Sequence, residues 1–203
     1  GIFPRMRDEA RYLATAEHLS RMWKALGVDL PMEAMSQSGA TELFAYRFDW
    51  AEQPTVLGSD GAKLFGAAHG LELSFLFGTF DLGPATRLMF SEATAASRLE
   101  LSNAMMRYWA TFARTGKPGH TPVEWKAWRA EPAGAPHVLL LDAASGGGLR
   151  QTTGLVSRDT VLQELEADPR LPEHTDKCDL RERLRKSGWL TPAEARSGCE
   201  SPA

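Results

Sequence analysis

Apolar and polar positions recur along this chain with two periods, and the periods mark its elements. Over residues 7–26, "RDEARYLATAEHLSRMWKAL", Tyr12, Ala16, Leu19 and Trp23 fall at steps of three and four. That spacing predicts a helix, with Gly27 as its stop. "LPMEAMSQSGA" (30–40) reads as a loop. Over 41–50, "TELFAYRFDW", Leu43, Ala45, Arg47 and Asp49 alternate with Phe44, Tyr46, Phe48 and Trp50. This is the period of a strand with one aromatic face. The next stretch, "AEQPTVLGSDGAKLFGAA" (51–68), holds Pro54, Gly58, Gly61 and Gly66. Connections this long are uncommon inside a compact domain and are often functional. Residues 92–116 predict the longest helix, on a stripe of Leu99, Ser102, Met106, Trp109 and Ala113, joined by Met105 and Phe112. Gly116 and Pro118 end it. "PHVLLLDAASGGGLRQT" (136–152) predicts a strand, a glycine turn and a short strand. "SRDTVLQELEAD" (157–168) predicts a short helix capped by Ser157 or Asp159. Beyond Pro169 charge and proline dominate, so residues 169–203 read as a surface tail with short helical turns, set apart from residues 1–168.

These elements mix strands and helices, but the strands are too few for a complete sheet. An incomplete sheet leaves pairing edges open, which implies an α/β chain that is part of a larger domain. The composition agrees with a folded protein: of 203 residues, 43% are hydrophobic and 24% charged. A net charge of −3 provides no basic field for a phosphate backbone, so no nucleic acid partner is expected. Apolar runs such as "VLLL" (138–141) fall far short of the roughly 20 residues of a membrane span. The opening "GIFPRMRDEARYL" has no charged start followed by an apolar core, so no signal peptide is read there. It does not begin with Met, which points to an N-terminus made by cutting or by the way the chain was prepared. Cys178 and Cys199 are the two cysteines. A bridge between them would close a loop of about 20 residues, worth about 3 kcal/mol; two free thiols are the alternative.

Most site chemistries lack their motif. The chain holds no GxSxG, no HExxH and no CxxC. "HTDKC" (174–178) offers only a weak metal half-site, and "SGGG" (145–148) reads as a turn; no metal or cofactor is expected. "GAAHGLELSFLFG" (66–78) stands out, because Gly66, Ala67, Ala68 and Gly70 leave the imidazole of His69 sterically free. Glu72 lies within an otherwise apolar stretch, where a carboxylate is costly to bury without a partner. It is expected to have one, such as backbone N–H groups.

"LFGAAHGLELSFLFG" (64–78) resembles the histidine loop of the type-B carboxylesterases, the family of cholinesterases and bacterial p-nitrobenzyl esterases. Three further pieces match in order: "ELFAYRFDW" (42–50), "SNAMMRYWATFARTGKPG" (102–119) and "VEWKAW" (123–128). The similarity runs over roughly residues 5–150. It implies the C-terminal part of an α/β-hydrolase fold, completed by a separate N-terminal chain. It implies that His69 is the general-base histidine of a serine esterase and that Leu71 lines the substrate pocket. The family's GxSxG serine, acidic member and oxyanion glycines match nothing here. Asp60 and Glu52 precede His69 without matching the acid's motif and are not assigned. The partner implied is therefore the N-terminal chain carrying serine and acid, and the substrate a small-molecule ester. The alternative is a non-catalytic cholinesterase-like interaction protein. The family's late cysteine corresponds to Cys178, without its usual upstream partner. Localisation stays open, with a secreted or periplasmic protein favoured over a cytoplasmic one if Cys178 and Cys199 are paired.

Overall fold

The computed structural model describes residues 7–120, 122–129 and 134–199. In chain order it forms α1 (Glu9–Trp23), a π-type run (Lys24–Asp29), α2 (Leu30–Gln37), β1 (Ala45–Phe48), β2 (Thr55–Val56), β3 (Ser59–Asp60), α3 (Gly61–Phe65) and α4 (Glu72–Phe77). It continues with α5 (Thr86–Met89), α6 (Ala95–Thr115), β4 (His137–Leu141), β5 (Arg150–Thr153), α7 (Arg158–Ala167), α8 (His174–Lys186) and α9 (Pro192–Arg196). The expected N-terminus, residues 1–6, and residues 200–203 of the tail lie outside the described residues.

Contacts divide the chain into two units. Among the described residues, the first spans 40–154, and the second joins 7–39 to 155–199. The first unit holds a three-stranded sheet in the order β1-β4-β5. β1 runs parallel to β4, with Ala45 opposite Val138 and Phe48 opposite Leu141. β5 returns antiparallel to β4 after the glycine turn. The aromatic face of β1 forms the core, as the alternation predicts. Phe48 and Trp50 both lie 5.0 Å from Phe75 of α4, and Phe75 lies 5.1 Å from Phe80. Tyr46 meets Trp109 of α6 edge-on at 5.0 Å. Trp50, Phe75, Met105, Tyr108, Leu139 and Leu141 are fully buried. Helix α6 ends at Gly116, whose φ of 76° is the left-handed cap expected there. Ser102 and Met105 of the expected stripe are buried, with Leu101 and Tyr108 beside them, whereas Leu99 and Phe112 are exposed. The stripe read from spacing is thus only partly the covered one, because α4 and the sheet decide which face is buried.

The second unit is helical, and it corrects several expectations. Gly27 does not stop the first helix. A Cβ there would sit 2.8 Å from Trp23 Cδ1, so glycine lets that indole lie against the backbone while the chain passes through the π-type run into α2. Buried Asp29 fixes the run by accepting from the Val156 N–H at 2.7 Å and pairing with Lys24. The residues expected to form a loop, 30–40, therefore open as helix α2. The covered face of α1 is Ala14, His18 and Met22, not the Tyr12–Trp23 stripe. Nor are residues 169–199 a surface tail. Leu171, Leu180, Leu184 and Leu190 are buried with Met22, Val161 and Leu165 in one core. The charges around these leucines are paired: Arg11 with Asp176 at 2.7 Å, Arg21 with Glu164 at 2.7 Å and Arg181 with Glu166 at 2.8 Å. Ser157 caps α7, accepting from the Thr160 N–H at 3.0 Å. Cys178 and Cys199 are bridged, which decides between the two alternatives. No helix among the described residues is long and apolar enough to cross a membrane.

Inside this core Asp168 accepts from His18 Nε2 at 2.9 Å, from the Arg170 N–H at 2.9 Å and from the Arg170 guanidinium at 2.7 Å. The Arg170 side chain, foremost among these donors, holds the Asp168 carboxyl well below the usual carboxylate range. Stability from a carboxyl lowered in this way is present above its unfolded value, near pH 3.9, and is lost as pH falls further. Acid titration followed by circular dichroism should therefore show the helical unit losing stability below about pH 4. Asp168→Asn should flatten that dependence. In the first unit, Phe75→Ala removes a fully buried ring and should cost about 3–5 kcal/mol, read as a shift in the denaturant midpoint.

Candidate active site

The path from β1 to His69 is held by side chains that meet close to its two ends. Trp50 leaves β1 with its ring in the core, and its indole N–H donates to Glu52 Oε2 at 3.1 Å. The same carboxylate accepts from Ser97 of α6 at 2.7 Å and from Ser145, beyond β4, at 2.5 Å. Burial alone would raise the Glu52 carboxyl. The bonds from Ser145, Ser97 and Trp50, with the charge of Arg98, bring it below its ordinary value. Next to it, buried Gln53 donates from Nε2 to the Gly66 carbonyl at 2.5 Å. Residues 53 and 66 thus clasp the connection into a closed loop.

The interior of the loop follows from its turn chemistry. β2 and β3 form a minimal hairpin through Leu57 and Gly58, both at positive φ, as a two-residue type I′ turn requires. Gly61 lies against the Pro54 carbonyl, which a Cβ would approach to 2.4 Å. No other residue fits there. Asp60 caps α3 by accepting from the Lys63 N–H at 3.1 Å. Gly66 then takes φ 54° and ψ −150°, a glycine conformation that ends α3 and turns the chain.

His69 sits on the turn that follows, and its side chain is exposed. The turn closes through the Leu71 N–H to the Ala68 carbonyl at 3.0 Å and the Leu73 N–H to the Gly70 carbonyl at 3.2 Å. Leu71 lies two residues beyond His69 and is buried with Trp50 and Phe75, so in this chain it is the core anchor of the turn. Helix α4 begins at once, and Ser102 of α6 donates to the Phe75 carbonyl at 2.6 Å. Glu72 opens α4, where the helix dipole favours a carboxylate. The backbone partners expected for it are not seen among the described residues. It is half-buried, and its charge, after burial, helps to raise the Tyr46 phenol.

Two carboxylates near this loop have opposite environments. Asp142, at the end of β4, has its carboxyl raised by burial and by the charges of Asp49 and Glu52. The Ala143 N–H and Arg150 offset this only in part. A cleft of about 470 Å³ runs between Ser97, Asn103 and Arg107 of α6 and Asp142, Ala143 and Leu149, and its lining includes neither His69 nor Leu71. No group of three metal-ligating side chains occurs among the described residues.

The glycine setting of His69 was visible in the sequence, as was the length of the connection that carries it. The clasp was not. Ser97 and Ser145 lie 45 and 93 residues from Glu52, and no local spacing announces such partners. The one signal was polar Glu52 and Gln53 placed between a core tryptophan and Pro54.

A family model described as the carboxylesterase family matches residues 5–145. The para-nitrobenzyl esterase of Bacillus subtilis is 33% identical over 110 residues, covering 54% of this chain and 20% of that protein. The acetylcholinesterase of Bungarus fasciatus is 38% identical over 102 residues, covering 50% of this chain and 15% of that protein. A solved PNB esterase structure is 29% identical, covers 54% of this chain and 19% of its own, and superposes with a TM-score of 0.40. The stretch that matches is a fifth or less of each of these proteins. With the family model spanning both the clasped connection and the histidine turn, this chain belongs to the carboxylesterase family.

Proposed function

We propose that this chain is the C-terminal part of a serine carboxylesterase of the α/β-hydrolase fold and that His69 is its general base. The observation that carries the reading is the histidine turn itself: an exposed imidazole on a backbone fixed by buried Gln53, Gly66 and Leu71. Rigid support of an accessible imidazole is what proton transfer in a hydrolase demands. The serine of a GxSxG elbow and the acidic member come from outside these 203 residues, on a separate N-terminal chain of the same esterase. The sheet is suited to such a complement. Among the described residues β1 pairs only with β4, which leaves its other edge available to an earlier strand.

The chemistry follows from the roles. A serine hydroxyl is a weak nucleophile until a neighbouring base removes its proton. In this reading one ring nitrogen of His69 takes that proton as the serine attacks the ester carbonyl. The imidazolium returns it to the leaving alkoxide, and the acyl-enzyme forms. Water then repeats the cycle and releases the acid. The acidic member binds the other ring nitrogen and fixes the tautomer. Leu71 keeps the turn in place from below. The Cys178–Cys199 bridge supports residence in an oxidising compartment, secreted or periplasmic.

The test is hydrolysis of a p-nitrophenyl ester by the complete esterase, before and after a serine-directed organophosphate. His69→Ala should lower kcat by about 10⁴-fold or more while the two parts still co-purify. Full turnover in that variant, or hydrolysis that the organophosphate does not touch, would remove the assignment and favour the non-catalytic alternative. Gln53→Ala should lower kcat by about 10- to 100-fold with little change in KM, because the loop loses its closure while the core remains. In the His69→Ala background the same substitution should add nothing. An additive loss would show that Gln53 acts on something other than the histidine.

A further inference from the structure

Residues 155–203 follow the region matched by the family model, and they place a second chemical group at the surface. Cys178 of α8 and Cys199, just after α9, are bridged, and both are partly exposed. His174, one helical turn before Cys178, brings its Nε2 to 3.5 Å from the Cys178 sulfur. Cys178 and Cys199 line an open pocket of about 400 Å³, together with Glu182 and Arg185 of α8 and Arg196 of α9. Among the described residues Arg185 pairs with Glu182 at 2.5 Å, and no carboxylate pairs with Arg196.

The bridge is not what holds α9 in place. Thr191 and Glu194 form a capping box, with the Thr191 N–H donating to Glu194 at 2.7 Å. Arg181 donates to the Glu194 carbonyl at 3.0 Å, Arg158 pairs with the Glu194 side chain at 2.8 Å, and Ala195 is buried. The segment that carries Cys199 is thus tethered independently of the sulfur–sulfur bond. Cations and hydrogen-bond donors beside a cysteine lower its thiol pKa and make it a better leaving group.

We propose that Cys178–Cys199 is a thiol–disulfide exchange site for a low-molecular-weight thiol bearing a carboxylate. Arg196 receives the carboxylate and His174 serves the leaving sulfur. The incoming thiolate attacks Cys199 Sγ, and the Cys178–Cys199 bond breaks with its electron pair passing to Cys178. His174 Nε2–H donates to that thiolate, and Cys199 is left in a mixed disulfide with the small thiol. A second thiolate attacks the outer sulfur of the mixed disulfide and releases Cys199 as its thiolate. Two molecules of the thiol leave as their own disulfide, having reduced the bridge by two electrons. With α9 still docked, the two cysteines remain opposed, and the reverse sequence restores the bridge.

The experiment follows bridge reduction by alkylation and mass measurement in the whole protein, comparing glutathione with uncharged 2-mercaptoethanol at matched thiolate concentration. Reduction of the wild-type protein should leave its far-ultraviolet circular dichroism unchanged. His174→Ala should slow both thiols by about fivefold or more. Arg196→Gln should remove the advantage of glutathione and leave 2-mercaptoethanol unaffected. Rates in His174→Ala within twofold of wild type would overturn the proposal, as would a glutathione advantage that survives Arg196→Gln. Loss of helical signal on reduction would also overturn it, since the bridge would then be a structural staple.

Discussion

The placement of the His69 imidazole depends on one hydrogen bond inside the connection that carries it. Gln53, at the start, gives its amide N–H to the carbonyl of Gly66, near the end. The amide group is buried, so losing it would leave a carbonyl without a donor, a penalty of about 1–3 kcal/mol. Everything between the two residues is shaped to permit that closure. Gly61 gives up its side chain to the Pro54 carbonyl, the hairpin turns on positive φ at Leu57 and Gly58, and Gly66 adopts a conformation reserved for glycine. Beyond the clasp, Leu71 and Phe75 sink into the aromatic core, and the turn between these two fixed points leaves its histidine outside.

The two units stabilise themselves differently. In Ala40–Gly154 the framework is aromatic, with Trp50 and Phe75 at its centre, and polar groups are used sparingly to join elements distant in sequence. Glu52 reaches Ser97 and Ser145 and is held ionised by those bonds, whereas nearby Asp142 has fewer donors and is pushed the other way. Asp142 is the more deeply buried of the two and also faces the charges of Asp49 and Glu52, so burial, like charge and a shortage of donors together set the two carboxylates apart. In the helical unit a smaller leucine core is reinforced by ion pairs across helices.

What the sequence disclosed and what it withheld divide along physical lines. Strand β1, helix α6 and the β4–β5 hairpin were legible because their periods and terminators are local: alternation in 41–50, Gly116 after the long helix, glycines in 145–148. The histidine turn was legible for the same reason, with small residues flanking His69. The face that α1 buries was misread, and that of α6 only in part, since a stripe such as Tyr12–Trp23 is apolar on paper while the covering neighbour arrives from residues 155–190. Gly27 looked like a stop because glycine usually is one. Here it makes room for an indole. The charged segment after Pro169 hid a helix, as its leucines are spaced among residues that neutralise one another only once folded. The clasp was announced by nothing beyond polar Glu52 and Gln53 between Trp50 and Pro54, because its donor and acceptor are joined by folding alone.

The central claim is that the His69 ring completes a proton relay with a serine from another part of the esterase. The most direct measurement is a crystal structure of the complete esterase with its nucleophilic serine tagged by an organophosphate. The account predicts a ring nitrogen of His69 within about 2.6–3.2 Å of the tagged serine Oγ, with a carboxylate on the opposite nitrogen. A ring lying beyond hydrogen-bond reach of that serine, with another histidine in its place, would contradict it.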